Sequence, residues 1–323
     1  MAEINIIGAG ITGLAAAVRI LSESPQTKVR IYEAGDRVGG RLKPLTVREW
    51  GKSVANPHLI SAANAAALKY LETIGADIKK NKAAWRTTSF NPFSLYRLFT
   101  ESTQNIPFAN ADKKMAAALF FKAAAHGMTF YHATPDDFIG RAVAFIKENR
   151  GEIITNRKIN SVKELSGQSP LIVCVDAYNM KRLGLLSGGL KPLPIVNVHF
   201  DRDGRRQTHE TVLCPDFAFP CVIFAGEETV SVTVSAAAKL TAYDNENIIR
   251  IFKKLLRSLY DEDFSRAKVF KNVRATVKVA AGRFALPANV IAAGDFMSDN
   301  LPATIESAVT AGNTAADKAL DLL

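Results

Sequence analysis

Three glycines near the start of the chain, Gly8, Gly10 and Gly13, follow the spacing G-x-G-x-x-G. The apolar residues 4–7 before them predict a short buried parallel strand, and residues 14–21 after them predict a helix. At such a turn the first glycine permits the tight bend. The second lets the backbone approach a pyrophosphate, and the third lets the helix pack on the strand. The pattern predicts a dinucleotide site; the alternative is an ordinary glycine turn in a packed α/β domain.

An acidic side chain follows at the position where a ribose needs one. Residues 28–33 predict a second strand that ends in Glu33, 20 positions after Gly13. A carboxylate there can hold the two ribose hydroxyls of an adenosine. The helix N-terminus adds free N–H groups and a positive dipole end that attract phosphate. These arguments extend the predicted binding set to Ile11, Thr12 and Ala34.

A glycine pair, Gly39-Gly40, comes next and is flanked by Arg37 and Arg41. This arrangement would place a guanidinium near phosphates with the backbone close by, and a nicotinamide site does not need it. The first motif, the acid and this G-G-R segment together resemble the flavin-containing amine oxidase and phytoene desaturase superfamily. The resemblance implies non-covalent FAD, rather than NAD, as the cofactor.

The C-terminal part of the chain narrows this resemblance. A predicted strand ends at Gly294-Asp295, and residues 300–308 then open the last helix. Both segments are similar to the hydroxysqualene dehydroxylase family, also called squalene-associated FAD-dependent desaturases; residues 273–277 and, more loosely, 54–58 are similar as well. The resemblance implies that Asp295 binds the ribityl or phosphate part of FAD and that Val162 lies near the adenine. It also predicts that the start of the last helix faces the flavin, through Pro302, Ala303 and Thr304.

One histidine is the candidate catalytic residue. His58 matches the histidine of the family segment, so it is the candidate acid that protonates a substrate hydroxyl; the alternative is a structural hydrogen bonder. The resemblance implies a long apolar isoprenoid substrate, to which reduced FAD delivers a hydride as water leaves, as in the conversion of hydroxysqualene to squalene. Two alternatives stay open: a flavin oxidase of small amines or other polar substrates, and a non-catalytic flavin-binding protein.

The order of predicted elements favours an α/β fold with two interleaved domains. Residues 1–55, 126–186 and 283–323 are predicted to form a Rossmann-like FAD-binding domain. Residues 56–125 and 187–282 are predicted to form a discontinuous substrate domain with a mixed sheet and helices. Residues 59–75 predict a helix, and residues 159–165 and 171–175 predict strands that return the chain to the cofactor domain. The chain is shorter than typical relatives, which we attribute to missing insertions in the substrate domain.

The composition indicates a globular protein of a reducing compartment. Hydrophobic residues make up 48% of the 323 residues, and the sequence has no apolar run long enough to span a membrane. Cys174, Cys214 and Cys221 lack C-x-x-C spacing, and no histidine spacing suggests a ligand set, so we expect no metal. We therefore predict a cytoplasmic protein; the sequence indicates no particular oligomeric state.

The charge is uneven, with a net +10 over the chain and ten Lys or Arg against three acids between residues 250 and 283. This basic stretch is either a solvated face or a surface for anionic lipid head groups, which would make the protein peripheral to the membrane. Nucleic acid is not expected, because no aromatic-interleaved basic motif is present. The aromatic residues between 85 and 108 are either core or the wall of an apolar cavity, and residues 90–108 are the candidate apolar patch for membrane contact.

Overall fold

The computed structural model describes residues 2–42, 44–54, 58–165, 167, 169–202, 210–280 and 283–323. The strands in these ranges are β1 (Glu3–Ile7), β2 (Lys28–Tyr32), β3 (Leu45–Val47), β4 (Lys52–Val54), β5 (His58–Ser61), β6 (Trp85–Thr87), β7 (Phe130–Ala133), β8 (Glu152–Ile154), β9 (Leu171–Val173), β10 (Gly189–Asp201), β11 (Glu210–Cys214), β12 (Cys221–Ala225), β13 (Thr229–Val234), β14 (Ala267–Ala280) and β15 (Val290–Ala292). The α-helices are α1 (Ile11–Glu23), α2 (Ala65–Thr73), α3 (Pro92–Gln104), α4 (Lys113–Ala125), α5 (Arg141–Glu148), α6 (Ala177–Arg182), α7 (Asn245–Tyr260) and α8 (Ile305–Leu320).

A parallel sheet is built around β1, in the strand order β15-β9-β1-β2-β8. Its two central strands are covered on both faces, as expected for parallel strands: four of the five residues of β1 and all three residues of β9 are buried. The next strand, β2, alternates between buried and partly exposed residues. Helices α1, α5 and α8 pack together on one face, and their core includes Leu14, Ile146 and Val309. The α/β class predicted from the sequence is therefore confirmed.

A second sheet has the order β14-β10-β13-β12-β11-β6 and is antiparallel except where β6 joins β11. One face packs against α7, whose buried residues, Ile248, Phe252, Leu256 and Tyr260, recur every four positions and form a single stripe. On β10 and β13 the opposite face carries polar side chains, which alternate with the apolar ones along the strands. The described residues also form two short antiparallel strand pairs, the β3-β4 hairpin and the pair of β5 with β7.

Two predicted elements are wrong in detail, and local hydrogen bonds give the reason. Residues 159–165 form no strand: a single turn spans Val162–Glu164, and Ser161 and Glu164 cap each other's backbone in a capping box. Such side-chain bonds compete with a strand ladder. The helix predicted from residue 59 begins only at Ala65, because residues 58–61 form β5 and Asn64 accepts a hydrogen bond from the N–H of Ser61 at 2.8 Å.

The two larger sheets take their strands from different parts of the chain. All strands of the parallel sheet lie in residues predicted for the cofactor domain, and all strands of the second sheet lie in the other two ranges. Ile60, Leu71 and Ile78, from the next range, belong to the core of the parallel sheet, and the predicted domain boundaries stay predictions. The roles of the two units, cofactor binding and substrate binding, stay predictions. No helix in the described ranges is both long and apolar enough to cross a bilayer.

Candidate functional site

The glycine turn after β1 is tight at two of its glycines and open at the third. A Cβ on Gly13 would lie 2.0 Å from the carbonyl oxygen of Gly8, and a Cβ on Gly8 would lie 2.5 Å from the carbonyl oxygen of Cys174. Gly8 also has a φ of +101°, which disfavours any side chain. A Cβ on Gly10, in contrast, would meet no described atom within 4 Å. The turn therefore packs on the sheet at both ends and leaves its middle accessible.

Helix α1 begins directly behind this open position. Gly10 is its N-cap, no described side chain caps the helix, and its first turn contains no acid. The first N–H groups and the positive end of the helix dipole are therefore available to an anion. The side chains of Ile11 and Thr12 are buried, so only their backbone N–H groups can take part.

The carboxylate of Glu33 lies next to the glycine turn. It accepts a hydrogen bond from the N–H of Ala9 at 3.0 Å and another from the N–H of Gly35 at 2.8 Å. A carboxylate has about four acceptor positions, so two hydroxyl groups can still bind to it. Ala34 and Arg37 are exposed beside it, and the Arg37 guanidinium lies 4.0 Å from the carboxylate of Asp36.

The Gly39-Gly40 segment lies over the open glycine. The N–H of Gly39 donates to the carbonyl of Ala9 at 2.8 Å, and a Cβ on Gly40 would lie 3.4 Å from the Cα of Gly10. Arg41 then reaches across to the rest of the molecule. Its guanidinium donates to the carboxylate of Asp295 at 2.7 Å and to the carbonyl of Ala275 on β14 at 2.8 Å. Arg41 thus connects the glycine segment, the end of β15 and the second sheet.

Asp295 follows Gly294 at the carboxyl end of β15, the edge of a parallel sheet at which ligands bind. It is buried, and its backbone carbonyl accepts a hydrogen bond from the hydroxyl of Ser307 at 2.9 Å. The last helix, predicted to open at Pro302, begins at Ile305 with Thr304 as its N-cap. Pro302 and Ala303 therefore lie in the segment between Asp295 and the helix.

A buried acid in the first turn of α8 serves a neighbouring helix. Glu306 accepts hydrogen bonds from the N–H groups of Ala66 and Ala67, at 3.2 and 2.8 Å. These groups belong to the first turn of α2, whose N-cap, Asn64, makes no side-chain cap. Glu306 therefore caps α2 across the interface between the two helices, a contact that sequence reasoning missed because its two partners are distant in the chain.

His58 is on β5, opposite Ala133 of β7. Its ring packs edge-on against Phe138 with centroids 6.2 Å apart. Burial lowers the pKa of His58 to about 4, so the imidazole is neutral near pH 7 and does not hold a proton ready for a substrate. Its predicted role as an acid stays a prediction. The matching asparagine of that segment, Asn56, lies outside the described residues.

Val162 is buried, but it lies in a core cluster under the parallel sheet together with Ile7 and Val173. A contact of Val162 with adenine stays a prediction. The structure therefore brings together Gly8, Gly10, Gly13, Glu33, Gly39, Gly40, Arg41 and Asp295. It places Val162 and His58 on other elements. Among the described residues no cluster of His, Cys, Asp or Glu could hold a metal ion.

The polar face of the second sheet carries a pair that sequence reasoning missed. His199 on β10 is fully buried, and its Nδ1 lies 2.8 Å from the hydroxyl of Ser231 on β13. Its Nε2 is buried without a hydrogen-bond partner in the described ranges. Burial lowers the pKa of His199 to about 4. Strand alternation could have placed His199 and Ser231 on one face, but only the sheet register pairs them.

The residues present fit a dinucleotide. The open space at Gly10, the uncapped start of α1 and the carboxylate of Glu33 are the donor and acceptor set that a pyrophosphate and an adenosine ribose require. No side chain blocks the middle of the turn among the described residues, and the Gly39-Gly40 backbone forms its far wall.

Comparisons with known proteins agree with this geometry. The family model of the NAD(P)-binding Rossmann-like domain matches residues 6–68. A hydroxysqualene dehydroxylase of Zymomonas mobilis is 24% identical over 426 positions and covers 99% of each chain. Among solved structures, a Pyrococcus furiosus protein has a TM-score of 0.66 at 14% identity, covering 99% of this chain and 98% of its own. Cyclohexylamine oxidase from Brevibacterium oxydans has a TM-score of 0.60 at 13% identity, covering 99% of both.

The fold and the site define the class: this chain contains a Rossmann-like dinucleotide domain, and it shares its fold with proteins that include cyclohexylamine oxidase. Within that class, the resemblance to the hydroxysqualene dehydroxylase family, predicted mainly from the two ends of the sequence, is confirmed, and the similarity to the Zymomonas mobilis protein extends over the whole chain. The alignment extends over 426 positions and this chain has 323 residues, so the relative contains insertions that this chain lacks.

Proposed function

We propose that this protein binds FAD non-covalently and acts on a long apolar isoprenoid, in a reductive dehydroxylation of the hydroxysqualene-to-squalene type or a related desaturation. The observation that carries the proposal is the whole-chain similarity to a hydroxysqualene dehydroxylase, combined with a turn that is open only at Gly10. The first points to the substrate class and the second to a dinucleotide.

The residues of the site have separate tasks in this proposal. The N-terminus of α1 and the Gly39-Gly40 backbone hold the pyrophosphate, and Glu33 holds the adenosine ribose. The Arg41–Asp295 ion pair orients the middle of the cofactor. The charges of the pair lie 2.7 Å apart, so the buried carboxylate of Asp295 is already neutralised by the guanidinium. The segment from Pro302 to Thr304 and the start of α8 present a positive helix end, which favours negative charge on a nearby group.

Bound and reduced FAD would supply the hydride that replaces the departing hydroxyl at an allylic carbon. The hydroxyl must leave as water, so it needs a proton. A neutral His58, with its pKa lowered to about 4, can position this hydroxyl through a hydrogen bond. The proton itself must then come from a group that titrates closer to neutral pH.

A polar substrate is the second candidate, and one observation favours it. The face of the second sheet that is turned away from α7 carries hydrogen-bonded polar pairs, His199 with Ser231 and Asn197 with Thr233. On the same face the hydroxyl of Thr211 lies 3.5 Å from the ring of His132 on β7. This contact joins the polar face to the strand pair β5-β7, and these polar groups favour a small amine or alcohol as the substrate.

One experiment tests the proposed cofactor and the proposed substrate separately. The purified protein, reconstituted with FAD, should show a flavin absorbance spectrum after removal of free FAD. After anaerobic reduction with dithionite, it should be reoxidised by hydroxysqualene in detergent and should release squalene. A colourless protein would contradict the cofactor proposal. Flavin reduction by a small primary amine, with no reaction of hydroxysqualene, would favour the polar-substrate alternative.

We expect the cytoplasm as the location. Cys174, Cys214 and Cys221 are free and buried in the structure, which is consistent with a reducing compartment.

A further inference from the structure

The aromatic residues between 90 and 121 form neither a buried core nor a closed cavity. Phe93, Tyr96, Phe99, Phe108, Phe120 and Phe121 form a chain of edge-to-face ring contacts, with centroids 5.4 to 6.2 Å apart, between α3 and α4. The two ends of this chain are open to solvent: Phe93 is 62% exposed and Phe121 is 70% exposed. Phe90, just before α3, is 87% exposed. We call α3, α4 and their connection the aromatic hairpin.

Large exposed rings are costly in water, and a fold of this size has room to bury them. The aromatic hairpin does have a buried side, which includes Ser94, Leu98, Ala116 and Ala123. Phe93 and Phe121 lie on the other side. Their exposure is therefore a feature of how the helices are oriented, and it indicates a partner that takes up apolar rings.

The charges around the exposed rings favour an anionic partner. Both acids of the hairpin have local tasks: Glu101 lies 3.6 Å from Arg97 and accepts a hydrogen bond from the N–H of Phe108, and Asp112 caps α4. Lys113 lies over the ring of Phe108 at 3.4 Å. Two more lysines, Lys114 and Lys122, are exposed and make no ion pair with a described residue.

The hairpin is also joined to the candidate site. Asn105, buried at the end of α3, donates from Nδ2 to the hydroxyl of Thr276 at 2.9 Å. The preceding residue of β14, Ala275, accepts the hydrogen bond from Arg41. At its other end, α4 leads into β7, which pairs with the strand of His58. The aromatic hairpin is thus connected to the residues around the candidate site through β14 at one end and through β7 at the other.

We propose that the aromatic hairpin docks this protein on the surface of an anionic lipid bilayer. The rings of Phe90, Phe93 and Phe121 enter the boundary between head groups and acyl chains, and Lys114 and Lys122 contact the anionic head groups. Exposed aromatic rings flanked by lysines are the side-chain set of interfacial helices. An apolar substrate dissolved in the bilayer would then reach the site from the membrane side. This last step rests on the proposed function, whereas the docking itself does not.

The basic stretch at residues 250–283 supports membrane docking less strongly than its net charge suggested. The structure divides it between α7, where Arg250, Lys253, Lys254 and Arg257 line a groove of about 400 Å³, and β14. Before and on β14 several cations are already engaged: Lys268 pairs with Glu49 at 2.7 Å, and Arg274 stacks on Tyr178 at 4.5 Å. The α7 groove offers charge without exposed rings, so it serves as a comparison surface in the test.

The experiment measures sedimentation of the full-length protein with phosphatidylcholine vesicles, with and without phosphatidylglycerol. We expect binding to the anionic vesicles that is weakened by salt. The double variant F93S/F121S should reduce the partition coefficient about tenfold or more, because two rings no longer leave water. The variant K114Q/K122Q should remove most of the preference for anionic vesicles while leaving the weak binding to neutral ones.

Two control variants remove two exposed apolar side chains or two positive charges at other places on the surface. L322S/L323S removes two side chains that are 52% and 53% exposed after α8, and R250Q/K254Q removes two charges from the α7 groove. Both should bind as the parent does, and unchanged circular dichroism should show that every variant is folded. Loss of binding in R250Q/K254Q but not in the hairpin variants would overturn the proposal. So would a parent dimer that F93S/F121S converts to monomer, since a second copy would then cover the rings.

The two proposals fail separately in these assays. Vesicle binding without conversion of hydroxysqualene would retain the docking surface and contradict the substrate. Conversion of detergent-dissolved hydroxysqualene without vesicle binding would support the substrate and contradict the docking surface.

Discussion

The two sheets of this protein differ in how tightly the sequence specifies their contacts. In the parallel sheet, single atoms determine what fits: a Cβ on Gly13 would lie 2.0 Å from the oxygen of Gly8, and one on Gly312 of α8 would lie 2.4 Å from the oxygen of Thr12. In the second sheet, the face against α7 is lined by apolar side chains, and any apolar residue of suitable size would maintain this packing.

This difference indicates where the sequence is free to change and where it is not. A backbone that approaches a second backbone admits only glycine, so the glycine turn has a recognisable sequence. The packing of the second sheet tolerates many side chains, so its sequence can change while the fold persists.

The first prediction concerns the close backbone contact between Gly13 and Gly8 at the glycine turn. Gly13→Ala should destabilise the folded protein by about 3 kcal/mol or more, because the new methyl group forces α1 away from β1. Gly10→Ala is the matched control: its methyl group enters open space, and the loss of a glycine N-cap costs about 1 kcal/mol or less. Chemical unfolding of the two FAD-free variants checks this difference.

Substitution of Gly10 should have a small effect on stability but a large effect on FAD binding. The Gly10→Ala protein should be folded but should bind FAD at least about tenfold more weakly, because the methyl group occupies the approach of the pyrophosphate. Equal stability of the two variants, or normal FAD affinity in Gly10→Ala, would contradict the assignment of the open position.

Much of the parallel sheet could be predicted from the sequence, because its signals are local. The G-x-G-x-x-G spacing predicted β1 and α1, and the apolar run before Cys174 predicted β9. The sequence predicted a second, mixed sheet but not the order of its strands. Its pairing of His199 with Ser231 depends on a register between segments 32 positions apart. Likewise, only the packing of α8 on α2 shows that Glu306 caps α2.

The second prediction concerns acid sensitivity and the second sheet. In the folded protein the pKa of His199 is lowered to about 4, whereas an unfolded histidine titrates near 6.5. Below pH 6.5 the unfolded chain therefore binds a proton that the folded chain does not. Stability is fully present above pH 6.5 and falls as the pH decreases toward 4, by about 2–3 kcal/mol for this residue.

His199→Asn keeps a polar group beside Ser231 and removes the titration. Urea unfolding between pH 4.5 and 7.5 should therefore show a shallower loss of stability than in the parent protein. Part of the slope should remain, because burial also lowers the pKa of His58 to about 4. An unchanged slope in the variant would show that His199 is accessible to protons in the folded state.

The third prediction separates the cofactor acid from the fold. Glu33→Ala should weaken FAD binding on the order of 1.5–3 kcal/mol, because the ribose hydroxyls lose a charged acceptor. The N–H groups of Ala9 and Gly35 also lose their partner, so some stability is lost as well. Titration of the variant with FAD, followed by flavin fluorescence, checks the affinity. Unchanged affinity would place the ribose elsewhere.

The last prediction uses a second glutamate as the counterpart of Glu33. Glu306 is buried and also accepts two backbone N–H groups, but these belong to α2 rather than to the glycine turn. Glu306→Gln keeps the shape and one acceptor oxygen, so the cost should be only about 1 kcal/mol, the usual size of a lost helix cap. FAD affinity should be unchanged when it is measured under conditions in which the variant is fully folded. A variant that folds as the parent does but binds FAD at least tenfold more weakly would instead place Glu306 in the cofactor site, and would remove the contrast between the two acids.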